Sequence, residues 1–498
     1  MMEGTQMSTA YDNPFNPNLS MLCDYYELTM GNAYFANGMQ DQITYFDLYF
    51  RELPDGGGYA IAAGLEQAVE YLSNLSFTEE DIAFLRGKGQ FSEGFLQYLR
   101  DFHFCCDVWA VPEGTPVFPN EPLVTVRGPA VQTHLLETML LLTINHQTLV
   151  ATKASRIVRA ADGRAVMEFG SRRAQGYAGA VLGARAAYIA GCIGTACTIT
   201  DRLYGVPALG TMSHAWVQMF DSELDAFRAY AREYPSSTVL LVDTYNVLRS
   251  GVPNAIRIFN EEVLPRGHRP AGIRIDSGDI AYLSKQARKM LDEAGFPDCK
   301  ITASNSLDEY IIRDTILQGA RVDSFGVGER LITSKNDPVL GGVYKLVALE
   351  KDGQVVPKIK VSENVTKITT PHFKRPYRLF DRENGKAIAD VLCVFDETID
   401  DSKPYLLFDP NFTWKRKWVE NYVAKELMVQ VFDKGRLVYD LPAVQQIRDH
   451  CAAQQNTLWD EVTRFENPHH YYVDLSLKLW QAKQRLLDEA ELKTRREG

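Results

Sequence analysis

His214 is the histidine of this sequence whose surroundings most favour chemistry. It ends the segment ALGTMSH (208–214), in which an apolar run is followed by Thr211, Ser213 and the imidazole. At the end of a strand, an imidazole can act as a base, bind an anion or accept a phosphoryl group. A lone histidine is more often a structural residue, so His214 is a candidate that needs partners.

Three arginines could supply such partners. Arg172 and Arg173 directly follow the run AVMEFG (165–170), and Arg274 lies within GIRIDSGD (272–279). A guanidinium recognises carboxylate or phosphate through planar paired hydrogen bonds that lysine cannot reproduce. The arginines therefore predict an anionic substrate, although any one of them alone could instead form a surface or interdomain salt bridge.

Carboxylates occur in the same kind of position. Asp243 lies in VDT, and Asp276 and Asp279 lie in DSGD. Such residues can hold Mg²⁺ through oxygen ligands, with water and substrate phosphates completing the coordination shell. They can equally cap helices, since Asp often follows a strand and begins a helix. Both interpretations stay open for Asp243 and Asp276, and capping is favoured for Asp279.

A glycine turn and a serine extend the candidate site. Gly326 and Gly328 follow the run VDSF, where small residues let backbone N–H groups approach a phosphate, and Ser304 ends the run KITAS. Glycines at strand ends are more often simple turn formers. No GxxxxGK[ST] motif is present, so an ATP site in this chain would not be of the P-loop type.

The elements that must position these residues are short apolar runs, each followed by polar residues and a helical pattern. Runs of this kind predict parallel strands buried on both faces, in an α/β fold. Catalytic side chains of β/α barrels collect at the carboxyl ends of such strands. An open doubly wound sheet would have the same pattern, but no GxGxxG opens it and the number of runs approaches that of a closed barrel. The runs are AVMEFG (165–170), ALGTMSH (208–214), TVLLVDT (238–244), GIRIDSGD (272–279), KITASNS (300–306) and VDSFGVG (322–328).

The sequence pattern changes on either side of this region, which predicts three domains. Residues 1–145 form an N-terminal α/β domain of the sandwich type, 146–345 an irregular β/α barrel, and 346–498 a smaller C-terminal domain. An apolar stretch at 135–150 is interrupted by polar residues and is shorter than the ~20 residues of a membrane helix, so it predicts a buried helix. Strands around a Lys-Asp-Gly turn and an amphipathic helix over 476–494 are expected in the last domain.

Composition excludes several classes of protein. A formal net charge of -11 argues against a surface for nucleic acid, which requires many Lys and Arg. The eight cysteines lack metal-binding spacing and are expected to be reduced thiols. The first twenty residues have no basic and apolar signal regions. These features predict a cytoplasmic protein without membrane or nucleic-acid partners.

Several motifs in order resemble the nicotinate phosphoribosyltransferase family. The resemblance extends from near the N-terminus to about residue 380 and continues more loosely through NPHHYYVDLS. The motifs are LCDYYELTMGNAYF, FDLYFRELPDGGGYAIAAGLE, MEFGSRRAQG, GTMSHAW, VDTYN, IRIDSGD, ASNSLDEY, FGVGERL and LGGVYKLV.

The resemblance implies a type II phosphoribosyltransferase fold, commonly in a head-to-tail homodimer. It implies that nicotinate and phosphoribosyl pyrophosphate are converted to nicotinate mononucleotide and pyrophosphate, with ATP hydrolysis through a phosphorylated His214. Mg²⁺ bound with help from Asp276 or Asp243 would accompany the pyrophosphate.

The resemblance also implies the roles of individual binding residues. Tyr26 matches the tyrosine that stacks on the pyridine ring, Thr211 and Arg274 match nicotinate contacts, and Arg172 matches another anion-binding arginine. Thr369, beside Thr370, matches a contact to the phosphoribosyl substrate. This chain departs from the usual family pattern in carrying Tyr25 and Ser171 where leucine is frequent.

Three alternatives compete with this interpretation. An enzyme for nicotinamide would gain nothing from arginines facing a neutral amide, and one for quinolinate would need a more basic pocket. A silent metabolite-binding protein on the same scaffold would lack a catalytic group, yet His214, Arg172, Arg274 and Asp276 are all present.

Overall fold

The protein divides into two units in a computed structural model that describes residues 18–364 and 367–497, without the side chains of 493–497. The prediction that the first twenty residues are not a secretory signal falls mostly on residues 1–17, which lie outside the described residues. One unit consists of Met1–Leu149 with Val339–Gly498, and the other is Val150–Pro338. The first and last predicted domains thus belong to one unit, and their division after residues 145 and 345 stays a prediction.

The N-terminal part of the chain alternates short strands with helices. A capping box begins one of these helices, because Thr78 accepts a hydrogen bond from Asp81 N (3.2 Å) and the Asp81 carboxylate accepts one from Thr78 N (2.8 Å). The elements are α1 (Tyr25–Ala36), β1 (Ile43–Tyr49), a 3₁₀ turn (Pro54–Gly56), β2 (Ala60–Ile61), α2 (Leu65–Asn74), α3 (Glu79–Gly87), α4 (Glu93–Arg100), β3 (Asp107–Ala110), β4 (Pro116–Val117), β5 (Val124–Pro129), α5 (Ala130–Leu135) and α6 (Glu137–Ala160).

The middle of the chain has the predicted strand and helix alternation. Its elements are β6 (Ala165–Glu168), a 3₁₀ turn (Ser171–Arg173), α7 (Tyr177–Ile189), α8 (Thr198–Tyr204), α9 (His214–Gln218), α10 (Glu223–Glu233), β7 (Val239–Leu241), a π-helix (Val247–Gly251), α11 (Val252–Ile258), a π-helix (Phe259–Val263), a 3₁₀ turn (Leu264–Arg266), β8 (Gly272–Ile275), α12 (Ile280–Glu293), β9 (Lys300–Ser304), α13 (Glu309–Leu317), β10 (Ser324–Val327) and α14 (Glu329–Ile332).

The C-terminal part is mainly antiparallel, and it contains the predicted hairpin and the predicted long last helix. Its elements are β11 (Val343–Lys351), β12 (Gln354–Pro357), β13 (Lys374–Asp381), β14 (Ala387–Val394), β15 (Tyr405–Phe408), β16 (Arg416–Val419), β17 (Tyr422–Glu426), β18 (Val429–Asp433), β19 (Arg436–Leu437), α15 (Val444–Gln455), α16 (Asp460–Thr463), β20 (Val473–Leu475) and α17 (Leu477–Glu497).

Strands from both ends of the chain share the largest sheet of the first unit. Its order is β12-β11-β1-β5-β3-β18-β19, and a second sheet has the order β17-β13-β14-β20. The pairing of β1 with β11 and of β3 with β18 explains why the two ends form one unit. The predicted buried helix at 135–150 falls in α5 and α6, where Leu135, Leu140 and Leu149 are buried.

The second unit is built on a parallel sheet of order β6-β10-β9-β8-β7. Five of the six predicted runs form these strands, which confirms the parallel arrangement. The sixth prediction, a strand over 208–214, is wrong, because this segment forms a single bridge at Ala208 and His214 already begins α9. Single parallel bridges join Glu168 to Thr195 and Thr195 to Ala208 at the outer side of β6.

Closure of this sheet into a barrel is not confirmed, since the hydrogen bonds of the described residues do not join its two edges. The sheet packs against helices through a hydrophobic core that includes Phe227, Phe259 and Phe296. In the described part of the chain, every helix is too short or too polar to cross a bilayer.

Candidate functional site

Arg274 is the centre of a side-chain cluster at the carboxyl end of the parallel sheet. Ile273 and Ile275 are buried on one face of β8, so the alternation of the strand directs Arg274 to the other face. Its Nε donates to Ser304 Oγ (2.9 Å). Its two terminal nitrogens donate to Thr211 Oγ1 (3.2 Å), to the Met212 carbonyl (3.3 Å) and to Asp276 Oδ1 (2.9 Å). These bonds hold the guanidinium in one orientation.

Asp276 links this guanidinium to the imidazole. Its Oδ1 accepts hydrogen bonds from Arg274 and from Ser304, while its Oδ2 lies 3.8 Å from His214 Nε2. Partial burial by itself would raise the pKa of this carboxyl. The hydrogen bonds from Ser304 and Arg274, with the charge of Arg274, outweigh burial and hold the pKa of Asp276 below its usual value. Asp276 is therefore a carboxylate at neutral pH.

His214 begins α9, and its ring is anchored on one side and open on the other. Its Nδ1 lies 3.1 Å from Thr244 Oγ1, and the side chain is 40% exposed. The hydroxyl fixes the ring while the exposed face leaves room for an incoming group. The predicted association of His214 with Thr211, Arg274, Asp276 and Ser304 is therefore found within one unit.

Asp243 supports the loop that carries Asp276. Its Oδ2 accepts hydrogen bonds from Asp276 N (3.0 Å) and Ser277 Oγ (2.6 Å). Its other oxygen, Oδ1, is buried and has no hydrogen-bond partner among the described residues. A buried carboxylate oxygen without a donor is costly and suits a cation.

The number and type of ligands that Asp243 and Asp276 provide fit Mg²⁺. Mg²⁺ is usually held by one or two carboxylates together with water and substrate phosphates. Asp243 and Asp276 provide two carboxylates, and Asp243 Oδ1 is unengaged. In the described parts of the chain, no group of three or more His, Cys, Asp or Glu side chains could hold a metal ion. Asp279 is a helix cap as predicted, because it accepts a hydrogen bond from Tyr282 N (2.9 Å) at the start of α12.

The arginine turn after β6 is exposed. Arg173 lies 3.9 Å from Glu329, and Arg172 is exposed with no hydrogen bond or ion pair to the described residues. The structure thus leaves the Arg172 guanidinium available to an external anion, and no bond joins it to Arg274.

Gly326 makes room for an aromatic ring that sequence reasoning missed. A Cβ atom on Gly326 would lie 2.5 Å from Phe169 Cδ2, and one on Gly328 would lie 3.2 Å from the Phe169 carbonyl oxygen. The Arg274 guanidinium carbon lies 5.9 Å from the centre of the Phe169 ring. Phe169 directly follows β6. This position at the end of a strand is the feature of the sequence that could have identified Phe169 as a residue of the site. The absence of side chains at both glycines therefore allows this packing, and their predicted phosphate contact stays a prediction.

Tyr26 and Thr369 belong to the unit formed by the chain ends, whereas Arg274, Asp276 and His214 belong to the second unit. Tyr26 is 44% exposed on α1, and partial burial with the nearby Glu137 raises the pKa of its hydroxyl. Thr369 is buried, and its hydroxyl accepts a hydrogen bond from Lys360 N (3.1 Å). Its neighbour Thr370 lines a cavity of about 810 Å³ in the same unit. Their predicted substrate contacts stay predictions.

Comparisons with known proteins agree with this organisation. Residues 21–145 match the nicotinate phosphoribosyltransferase N-terminal domain, and residues 373–483 match the C-terminal domain of the same family. The chain is 43% identical to a nicotinate phosphoribosyltransferase of Bacillus subtilis over 95% of this chain and 96% of that protein. It is 38% identical to one from Mycobacterium tuberculosis, over 91% of this chain and 90% of that protein.

A solved structure shares the architecture. The crystal structure of human nicotinic acid phosphoribosyltransferase superposes with a TM-score of 0.83 at 28% sequence identity, covering 93% of this chain and 99% of that chain. The similarity therefore extends across both units and not to the parallel sheet alone.

Proposed function

Because this chain belongs to the nicotinate phosphoribosyltransferase family, we propose that it joins the pyridine nitrogen of nicotinate to the ribose of phosphoribosyl pyrophosphate. The products are nicotinate mononucleotide and pyrophosphate, in NAD biosynthesis. The single observation that carries the proposal is the shared carboxylate of Asp276, which bonds Arg274 at 2.9 Å and lies 3.8 Å from His214.

Arg274 accounts for the choice of an acid as substrate. A fixed guanidinium donates a charge-assisted hydrogen bond to a carboxylate, and this bond is stronger than the one it would donate to a neutral carboxamide. Thr211 and the Phe169 ring flank the guanidinium and give an aromatic acid both a hydroxyl and an apolar surface. Arg172 is the second proposed contact to the carboxylate, and Tyr26 is proposed to stack on the ring.

His214 is proposed to couple the reaction to ATP. A ring nitrogen attacks the terminal phosphorus of ATP, the bond to ADP breaks, and the phosphohistidine is later hydrolysed to inorganic phosphate. Thr244 holds the imidazole in place, and Asp276 stabilises the positive charge that the ring carries as it accepts the phosphoryl group. The charge added at His214 then favours the arrangement that binds the phosphoribosyl donor.

Asp243 and Asp276 would hold Mg²⁺ together with the phosphates of the donor. Bound by these two carboxylates, Mg²⁺ would neutralise part of the negative charge on the leaving pyrophosphate. The residues of the chain contribute orientation and electrostatic stabilisation as positive charge develops on the ribose and the pyridine nitrogen attacks. Ser304, Gly326, Gly328 and Thr369 are proposed as further contacts to the substrates.

The barrel fold, the oligomeric state and the cellular location are also proposals. We expect the parallel sheet to belong to an irregular β/α barrel, the chain to form a homodimer, and the enzyme to work in the cytoplasm. The family resemblance and the TM-score of 0.83 to the human structure support the first of these.

The decisive experiment measures nicotinate mononucleotide formation with and without ATP, for the unmodified protein and for His214→Ala. We expect ATP to stimulate the unmodified protein and to leave the variant unaffected, while the variant keeps a slow ATP-independent reaction. Equal stimulation of both proteins would remove the phosphohistidine from the proposal. Faster initial rates with nicotinamide than with nicotinate would overturn the substrate assignment.

A further inference from the structure

Glu168 is a buried carboxylate that the proposed mechanism does not use. It ends β6 and is 0% exposed. Its Oε2 accepts a hydrogen bond from Thr195 Oγ1 (2.6 Å), and its Oε1 accepts one from Gly170 N. Neither Lys nor Arg pairs with it among the described residues. A buried charge without a counter-ion is costly, so a residue kept in this state invites a specific explanation.

The bond to Gly170 fixes the start of the arginine turn. The turn Ser171–Arg173 follows at once, and Arg173 N donates to the Gly170 carbonyl (2.7 Å). A Cβ atom on residue 170 would lie 2.7 Å from Glu168 Oε1 and 2.6 Å from Ile332 Cβ. Glycine therefore lets the backbone amide approach the carboxylate, and the geometry of the turn depends on that contact.

The bond to Thr195 reaches the segment that carries the imidazole. Thr195 N donates to the Pro207 carbonyl (2.9 Å), and Leu209 N donates to the Thr195 carbonyl (2.8 Å). Thr211 and His214 follow Leu209 within five residues of chain. Thr195 Oγ1 also accepts a hydrogen bond from Cys197 N (3.0 Å), which orients the hydroxyl toward the carboxylate.

From these contacts we propose that Glu168 is a positioning residue that fixes the Arg172 turn and the Thr211–His214 segment relative to one another. The proposal rests on the proposed function, in which both segments contact nicotinate. Glu168 does not touch substrate in this role; it acts through Gly170 and Thr195. Burial favours the protonated form and raises the pKa of Glu168, while the two hydrogen bonds favour the carboxylate.

The test replaces each side of the interaction by a near isostere. Glu168→Gln keeps the shape, but its amide NH₂ replaces one of the two acceptor oxygens and therefore faces a group that is itself a donor in the unmodified protein. Thr195→Val removes the hydroxyl, and Thr195→Ser keeps it. We expect the first two variants to raise KM for nicotinate about 10- to 100-fold, because small displacements of binding groups have effects of this size. Thr195→Ser should stay close to the unmodified protein.

Two further readouts separate positioning from a general loss of stability. Hydrogen exchange should quicken in peptides covering 169–174 and 207–214, and trypsin should cleave after Arg172 or Arg173 sooner. The matched control is Glu309→Gln, which removes another buried carboxylate of the same unit, paired with Lys153 and Arg156 at 2.9 Å each. That control should lower Tm without raising KM for nicotinate.

Each outcome has a distinct meaning. An unmodified protein that forms no nicotinate mononucleotide contradicts the proposed function. An active unmodified protein, with both Glu168→Gln and Thr195→Val keeping its KM and exchange pattern, overturns the positioning role. If Glu168→Gln does not fold, the Thr195→Val and Thr195→Ser pair decides: equal KM values for the two variants also overturn it.

Discussion

The imidazole of His214 and the carboxylate of Asp276 approach to 3.8 Å between Nε2 and Oδ2. The other oxygen of that carboxylate is bonded to Arg274. One carboxylate therefore lies between the proposed phosphate acceptor and the proposed nicotinate contact. In the proposed mechanism, a change of charge on the imidazole would act on the guanidinium through this single side chain and would so link phosphorylation to substrate binding.

Thr244→Val should weaken phosphorylation of His214. The variant loses the hydroxyl that lies 3.1 Å from Nδ1, and loss of one such hydrogen bond costs about 1 kcal/mol. We expect the incorporation of acid-labile phosphate from ATP to fall about fivefold, with KM for nicotinate unchanged. Thr244→Ser keeps the hydroxyl and is the control. Normal incorporation by the valine variant would exclude Thr244 from orienting the ring.

Arg274→Lys should weaken nicotinate binding although the charge is kept. A lysine has one nitrogen and cannot reach Ser304, Thr211 and Asp276 at the same time. Loss of a charged hydrogen bond costs about 1.5–3 kcal/mol, or roughly 10- to 100-fold in affinity. Arg232→Lys, at an exposed arginine that pairs with the buried Glu262, should leave nicotinate KM unchanged. The same KM for both variants would contradict the assigned role of Arg274.

Gly326→Ala should destabilise the second unit and disturb the site together. The added Cβ would lie 2.5 Å from the Phe169 ring, and overpacking of this kind costs about 1–3 kcal/mol. Since Phe169 lies beside Arg274, KM for nicotinate should rise as Tm falls. Gly87→Ala, where nothing lies within 4 Å of the added atom, should not lower Tm. Unchanged Tm and KM in Gly326→Ala would show that Phe169 moves freely.

Glu27 should make the stability of the protein depend on pH. It is fully buried, and burial raises its pKa to about 7, against hydrogen bonds from Thr138 that lower it. The folded state then binds this proton more tightly than the unfolded state, whose glutamate pKa is about 4.3. The resulting stability is present below about pH 4.3 and is lost as the pH rises through about 7.

Glu27→Gln should therefore raise Tm relative to the unmodified protein at pH 8 and much less at pH 5. The expected gain in the free energy of unfolding at pH 8 is on the order of 1–3 kcal/mol. Thermal unfolding at pH 5, 6, 7 and 8 measures it. Glu80→Gln, at an exposed position of α3, is the control. A Tm difference that does not vary with pH would contradict the titration of Glu27.

The local sequence was sufficient to predict that the polar residues at the ends of apolar runs lie close together. Arg274, Asp276 and Ser304 follow or lie in β8 and β9, and because parallel strands end at one edge their association could be predicted. The segment at 208–214 was misjudged because its backbone pairs at Ala208 alone, and then Met212 offers its carbonyl to a side chain. An apolar run in the sequence does not indicate that one of its backbone carbonyls will accept a hydrogen bond from an arginine side chain.

Contacts between distant residues were beyond prediction. Thr195 is separated from Glu168 by 27 positions, and no periodicity or motif connects them. The position of Phe169 could not be predicted either. Its ring packs where Gly326 has no side chain, and a glycine in the sequence does not indicate which ring will occupy that space. Both depend on the packed fold and not on any pattern along the chain.

The bonding of Arg274 has a consequence for how an acid can be held. A guanidinium has five N–H groups. In Arg274, four of them donate hydrogen bonds within the protein, to Ser304, Thr211, Met212 and Asp276. One N–H remains for a ligand, so the arginine offers a single-point grip on one carboxylate oxygen and has no second donor for another acid group. The side chain loses little rotamer freedom when the ligand arrives, since its own neighbours have already immobilised it.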